Sequence, residues 1–195
     1  MSTAIFLAIF GYLLGAIPFG LLSAYAAGLG DIRKIGSGNI GATNVLRSGH
    51  KLAAFTTLIG DAGKGAFVIW LTIAFGYVEF APLAGLCAVI GHCYPLWLGF
   101  KGGKGVATAI ATIFMLYWPA GIVMALTWLA MSAVFRISSL SALTGFVTAG
   151  VTCFLYYEQW PYVLGIAALS FWRHKENIIR LANGTESRIR LSKKQ

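Results

Sequence analysis

Residues 105–135 read GVATAIATIFMLYWPAGIVMALTWLAMSAVF, without one charged side chain. Drawn as a single α-helix, this stretch would rise about 46 Å at 1.5 Å per residue, well beyond the roughly 30 Å hydrocarbon core of a bilayer. Trp118-Pro119 falls near its middle, where proline lacks a backbone donor and clashes with the preceding turn. The run therefore divides into two spans near 105–118 and 120–135. Whether it holds one span or two decides on which side of a membrane the rest of the chain lies.

Working outward, further apolar runs cover 3–28, 52–76, 80–98, 139–157 and 160–174, and no charged residue precedes Asp31. Each approaches the roughly 20 apolar residues needed to cross a bilayer. Pro18 is expected to kink the first span, and Gly11 with Gly15 gives it a small-xxx-small packing face. Loop charge tests the total of seven independently. The segments between spans 1 and 2 (Arg33, Lys34, Arg47, Lys51), 3 and 4 (Lys101, Lys104), and 5 and 6 (Arg136) are basic, as is the C-terminal tail. Glu79 and Glu158 alone mark the alternate segments. Positive charge stays on the cytoplasmic side, so the N-terminus is expected outside and the C-terminus in the cytoplasm. Leaving 105–135 undivided would put the basic tail outside.

Composition agrees with this class. Of 195 residues, 58% are hydrophobic and 11% charged, with fifteen Lys plus Arg against six Asp plus Glu. A soluble domain carries about 25% charged residues, and a nucleic-acid binder needs its basic charge on a solvated face, which a mean hydropathy of +0.77 does not allow. Disorder is excluded by the same figures. The expectation is an all-α integral membrane protein of seven transmembrane helices, one domain over residues 1–195. Met1–Phe6 carries no Lys or Arg and the following apolar run is too long for a signal peptide, so it reads as a retained span. Cys87, Cys93 and Cys153 sit in apolar stretches without a CxxC pair and read as buried thiols.

The distinctive polar residues gather at the expected cytoplasmic ends. Between spans 1 and 2 runs Gly36-Ser37-Gly38-Asn39-Ile40-Gly41-Ala42-Thr43-Asn44-Val45-Leu46-Arg47. Between spans 3 and 4 run Gly91-His92-Cys93-Tyr94-Pro95 and Phe100-Lys101-Gly102-Gly103-Lys104-Gly105-Val106-Ala107-Thr108. Arg136, Ser138 and Ser139 precede span 6; His174, Glu176, Asn177 and Arg180 follow span 7. Spans 2, 4 and 6 point their N-termini, with free N–H groups and the positive dipole end, at this same face. Glycines between Lys101 and Lys104 allow close backbone approach between two ammonium groups, which suits a phosphate.

Other motifs carry less. Gly36 to Gly41 fits GxGxxG but follows a membrane helix and not a strand, so no dinucleotide site is expected. Neither Lys64 nor Lys104 completes a Walker loop. His50, His92 and His174 lack metal-ligand spacing, so no metal is expected. There is no G-x-S-x-G elbow. Asp61 and Lys64, three apart in span 2, read either as a mutual ion pair facing the bundle interior or as an extension of the anion site.

Together these segments closely resemble the three cytoplasmic motifs of the bacterial acyl-phosphate-dependent glycerol-3-phosphate acyltransferases, the PlsY family. The motifs are Gly36-Ser37-Gly38-Asn39 through Arg47, Gly91-His92 through Thr108, and His174, Asn177-Ile178, Arg180-Leu181, Gly184 and Glu186. The likeness spans nearly the whole chain. It implies transfer of a fatty acyl group from acyl phosphate to the 1-hydroxyl of glycerol 3-phosphate, giving lysophosphatidic acid and phosphate, at the cytoplasmic face of a bacterial inner membrane. The His-x4-Asp pair of acyltransferases that use acyl-CoA or acyl carrier protein is missing: Phe55, Trp97 and Ile179 stand five positions after the three histidines.

On that resemblance, catalytic roles fall to His174, Asn177, Ser37 and Lys104. Substrate binding falls to Gly38, Asn39, Thr43, Asn44, Arg47, His92, Lys101, Gly102, Gly103, Ser138, Ser139 and Arg180. Ser37, Asn39, Thr43 and Asn44 are expected to donate to phosphoryl or oxyanion oxygens, with Arg47, Lys104 and Arg180 neutralising phosphate charge. His174 is the expected general base, the donor's own phosphate being the alternative; His92 reads equally as a loop cap, and Ser138 and Ser139 equally as helix N-caps. Glu176 and Glu186 are expected to pair with basic neighbours. No cofactor, nucleic acid or obligate protein partner is implied beyond the two substrates and membrane lipid. The competing reading is a small anion or organophosphate transporter, which should show polar groups along a path to the outer side.

Overall fold

The computed structural model describes residues 2–189; the basic tail residues Arg190, Lys193 and Lys194, expected on the cytoplasmic side, lie outside the described residues. Within them the chain is helical, without a strand. The elements are α1 (Ser2–Gly15), α2 (Phe19–Ala26), α3 (Ala42–Arg47), α4 (Lys51–Ala74), α5 (Ala81–Cys93), α6 (Val106–Leu116), α7 (Trp118–Phe135), α8 (Ser138–Tyr156), α9 (Trp160–Arg173) and α10 (Lys175–Ala182).

The division of 105–135 is present. α6 ends at Leu116, Tyr117 is extended, and Pro119 opens α7, where its missing N–H removes no helical bond. Arg136 closes α7 in the left-handed conformation with φ 57°. Proline acts more strongly in the first span than a kink: the helix stops at Gly15 and restarts at Phe19. A break inside a bilayer leaves carbonyls that protein groups must satisfy. Trp97 Nε1 donates to the Ala16 carbonyl at 2.6 Å, and Lys64 Nζ to the Ile17 carbonyl at 2.9 Å.

Five stretches are long and apolar enough to cross a membrane: Ser2–Ala26, Lys51–Ala74, Val78–Leu98, Trp118–Phe135 and Ser138–Tyr156. The spans expected at 105–118 and 160–174 form helices of 11 and 14 residues, rising about 16 and 21 Å, short of a full core by themselves. Large apolar side chains such as Phe6, Trp70, Leu126, Val134 and Phe154 are exposed on the outer surface of the bundle, the pattern of a chain whose solvent is lipid.

Small residues set the packing. A Cβ on Gly11 or Gly15 would overlap the Ala84 or Ala88 backbone of α5, so α1 and α5 lie in parallel with their backbones touching. Gly65 of α4 admits the Thr108 carbonyl and the Thr112 hydroxyl of α6 in the same way, and Thr108 Oγ1 donates to the Asp61 carbonyl at 2.8 Å. The main core joins Val89, Ile113, Met124, Phe146, Val163 and Ile166 from α5 to α9.

The start of α6 and the end of α5 therefore meet α4 at Asp61 and Lys64, about 15–20 Å along that helix from Lys51. The two ends of the loop from Tyr94 to Gly105 are thus held against the middle of α4, and α3, α4, α6, α10, the C-terminal half of α7 and the start of α8 surround the space beside it.

Candidate active site

That space is a cavity of about 520 Å³, lined by residues of the three motif segments and of the Ser138-Ser139 stretch. Ser37, Asn39, Thr43, Asn44, Arg47, His92, Lys104, Ser138, Ser139, His174 and Asn177 border it, so four separated stretches of sequence meet as expected. One wall is apolar: Phe55, Leu58, Ile110, Ala125, Trp128 and Leu129 come from α4, α6 and α7.

The first segment is organised by Asn44. Its Nδ2 donates to the Ile32, Ile35 and Asn39 carbonyls at 3.0, 3.0 and 2.8 Å, and its Oδ1 accepts from Ser37 N at 2.8 Å and Ser37 Oγ at 3.1 Å. Asn44, expected to donate to a phosphoryl oxygen, has its amide hydrogens engaged by the loop instead, because a buried amide finds its partners locally. Asn39 Oδ1 accepts from Gly41 N at 2.9 Å, fixing the turn. Gly38, in the left-handed region with φ 69°, shapes the loop but does not border the cavity. Arg47 Nη2 donates to Ser187 Oγ at 2.8 Å.

The glycine loop differs from the expected cradle. Lys104 borders the cavity, whereas Lys101 is exposed and, with Gly102 and Gly103, does not. Arg173 explains the loop's shape: its guanidinium donates to the Gly102 and Gly103 carbonyls at 2.9 and 3.0 Å and lies over the Tyr94 ring at 5.0 Å. Gly103 is small because a Cβ there would overlap the His92 ring, and Gly105 takes φ 81° to turn into α6.

The third segment brings His174 and Asn177 to the cavity. His174 is buried in the corner between α9 and α10, its Nδ1 2.7 Å from the Ser170 carbonyl. A carbonyl only accepts, so Nδ1 carries the proton and Nε2 of the neutral ring is an unprotonated acceptor. Burial holds its pKa down at about 4, opposed by the Ser170 hydrogen bond and assisted by the Lys104 charge. Lys104 Nζ donates to Asn177 Oδ1, and Asn177 Nδ2 to Glu186 Oε1 at 2.9 Å. Burial lowers the Lys104 pKa to about 8, against the pull of Glu186. Arg180 Nε holds Glu186 Oε2 at 2.8 Å and, although expected to neutralise phosphate charge, stands outside the cavity wall, which Lys104 and Arg47 border. Glu176 stands 4.0 Å from Arg180, a weak exposed contact.

Ser138 and Ser139 do not cap α8: its N-cap is Ile137, without a side-chain bond. Ser138 Oγ lies 3.3 Å from Thr43 Oγ1, while the buried Ser139 Oγ has no protein partner among the described residues. Asp61 and Lys64 do pair, at 3.0 Å, and Lys64 also meets His92 Nδ1 at 2.8 Å. Lys64 does not border the cavity, so the extended anion site is not formed by it. The described residues contain no cluster of metal-binding side chains.

The sequence matches the family described as glycerol-3-phosphate acyltransferase over residues 5–184. The chain belongs to the glycerol-3-phosphate acyltransferase family. Among relatives in that family, the glycerol-3-phosphate acyltransferase of Paramagnetospirillum magneticum is 54% identical over 187 residues, covering 94% of this chain and 92% of the relative. That of Cereibacter sphaeroides is 53% identical over 183 residues, covering 93% and 87%. Crystal structures of PlsY, an integral membrane glycerol 3-phosphate acyltransferase, superpose with TM-score 0.88. The glycerol 3-phosphate form is 38% identical and covers 95% of both chains; the lysophosphatidic acid form is 36% identical and covers 97% and 96%.

In this acyltransferase-family chain, sequence reading missed Arg173 and the apolar wall. Arg173 left only the faint signal of a charge beside His174. The wall left none, since its residues are indistinguishable in sequence from lipid-facing ones.

Proposed function

We propose that this chain transfers a fatty acyl group from acyl phosphate to the 1-hydroxyl of glycerol 3-phosphate, releasing lysophosphatidic acid and inorganic phosphate. The observation that carries this is one cavity joining an acceptor nitrogen (His174 Nε2), a buried ammonium (Lys104) and an unpartnered hydroxyl (Ser139) to an apolar wall. A lipid-like anhydride with an anionic head needs that combination, and so does a small phosphorylated acceptor.

Acyl phosphate is already activated, so direct attack suffices. The acceptor hydroxyl oxygen bonds to the acyl carbon, the bond from that carbon to the phosphate oxygen breaks, and the hydroxyl proton goes to His174 Nε2. Asn177 and Lys104, bonded to each other, present one side of the acceptor site. Arg47 exchanges Ser187 for a phosphate oxygen, and Lys104 neutralises the second anion. Ser37, Thr43, Ser138 and Ser139 supply hydroxyl donors at the mouth of α8, and the Phe55, Trp128 and Leu129 wall receives the acyl chain. Neither metal nor cofactor nor partner protein enters this scheme.

The single domain, residues 1–195, crosses a bacterial inner membrane seven times with its N-terminus outside and its C-terminus and active site on the cytoplasmic side. Loop charge supports this orientation.

The test is the purified chain in lipid, given acyl phosphate and labelled glycerol 3-phosphate. Labelled lysophosphatidic acid is expected with acyl phosphate and not with acyl-CoA. No product with acyl phosphate would overturn the assignment.

A further inference from the structure

A second groove, of about 850 Å³, opens beside the active cavity between the end of α7, at Ala133 and Arg136, and the C-terminal segment at Arg188 and Ile189. Thr43, Leu46 and Trp128 border both spaces and form the sill between them. The scheme above leaves this groove and its two arginines unused.

Backbone contacts hold both arginines at the groove. Arg136 closes α7 at φ 57°, a conformation that favours glycine over any residue with a side chain. Arg188 lies on a short strap tied down on either side of it. Glu186 accepts from Asn177 and Arg180, Ser187 accepts from Arg47, and Ile189 N donates to the Arg136 carbonyl at 2.6 Å. The same strap therefore borders the active cavity at Glu186 and the groove at Arg188. Among the described residues neither guanidinium at the groove has an acidic partner, and Glu186, the acid nearest Arg188 in sequence, is taken by Arg180.

Leu46, Trp128 and Ile189 give this groove an apolar side. Two planar guanidinium forks next to an apolar surface suit a phosphate carried on a hydrocarbon chain. Trp128 also belongs to the wall assigned to the acyl chain, so a chain laid on it runs from groove to cavity over continuous apolar surface. Glycerol 3-phosphate has no chain to lay there. We propose that Arg136 and Arg188 form a docking site for the phosphate head of a single-chain lipid, one step outside the active cavity. Acyl phosphate entering and lysophosphatidic acid leaving share that chemistry. The inference rests on the acyl-transfer reading above and gives its lipid ligands a route across the sill.

Two readouts test it on the full chain in phosphatidylcholine nanodiscs. Ala133→Cys, with Cys87→Ala, puts a thiol on the exposed groove wall. Its labelling is expected to slow several-fold with monododecyl phosphate and not with dodecanol or inorganic phosphate, and the protection to vanish when Arg136→Gln and Arg188→Gln are added. Equal protection by dodecanol, equal protection by phosphatidylglycerol placed in the bilayer, or none by monododecyl phosphate overturns the proposal. In kinetics, Arg136→Gln with Arg188→Gln is expected to raise KM for acyl phosphate about tenfold if the site serves entry, or to weaken product inhibition by lysophosphatidic acid about tenfold if it serves exit. In both cases KM for glycerol 3-phosphate stays nearly unchanged, and lysine at both positions recovers part of the effect. A change in neither constant, or a rise confined to KM for glycerol 3-phosphate, overturns the proposal. Failure of the unaltered chain to form lysophosphatidic acid overturns the acyl-transfer reading and is told apart by the thiol labelling, which needs no turnover.

Discussion

Lys104 and His174 show how burial tunes one residue at a time. Burial lowers the Lys104 pKa from 10.5 to about 8, so its ammonium persists at neutral pH and is lost within the alkaline range. A group that binds fewer protons folded than unfolded adds stability as pH climbs between those two values. Phosphate binding moves the opposite way, because the charge that attracts it disappears. KM for glycerol 3-phosphate is therefore expected to rise between about pH 7 and pH 9, and to stay flat in Lys104→Arg, whose guanidinium remains charged throughout. Steady-state kinetics across that range checks it; a flat profile in the unaltered chain would remove the charge of Lys104 from substrate binding. His174, with its pKa at about 4, is unprotonated while Lys104 is still charged between about pH 4 and pH 8, and can act as a base there. His174→Asn is expected to lower kcat by about 10²–10⁴ while the unfolding midpoint is retained. Turnover near that of the unaltered chain would assign the proton to the leaving phosphate.

At the scale of elements, contact between α1 and α5 depends on glycines whose missing side chains let two backbones touch. Gly15→Ala pushes a methyl into the Ala88 backbone, and overpacking of this kind costs about 1–3 kcal/mol. Gly63→Ala in α4 meets nothing within 4 Å, and alanine favours a helix over glycine by up to about 1 kcal/mol. Thermal unfolding in detergent should therefore fall for Gly15→Ala and hold or rise for Gly63→Ala. Equal midpoints would mean that α1 and α5 separate readily. The same element explains why Pro18 breaks a helix without penalty from its carbonyls. Lys64 and Trp97 reach those carbonyls from α4 and the Tyr94–Gly105 loop, which ties the break to both.

On the scale of the whole molecule, orientation is open to direct measurement. Glu79→Cys and Glu158→Cys are expected to react with an impermeant thiol reagent in intact cells, and Lys51→Cys and Lys101→Cys only after permeabilisation. The reverse labelling would invert the orientation and place the cavity outside. Cys93 and Cys153 are buried, and the partly buried Cys87, expected to be buried like them, is replaced by alanine in these variants. Hydropathy made the bundle legible, because a lipid solvent demands long uncharged runs wherever the chain crosses, and Trp118-Pro119 marked the division of 105–135 through the geometry of proline alone. The polar segments were legible for the same reason: Ser37, Lys104, His174 and Asn177 stand out against an apolar background. The sequence by itself thus determined the class of protein, the approximate position of its helices and most of the polar residues that border the cavity, but neither its apolar wall nor that Gly38, Lys101, Gly102, Gly103 and Arg180 stand outside it. It could not assign partners within that set. That Asn44 serves its own loop, that Lys101 turns outward and Arg173 inward, and that Lys64 meets His92 were decided only by the tertiary structure. Hydrogen-bond partners are chosen by distances of about 3 Å, and those arise from how closely glycine-bearing helices approach one another, a quantity no linear pattern contains.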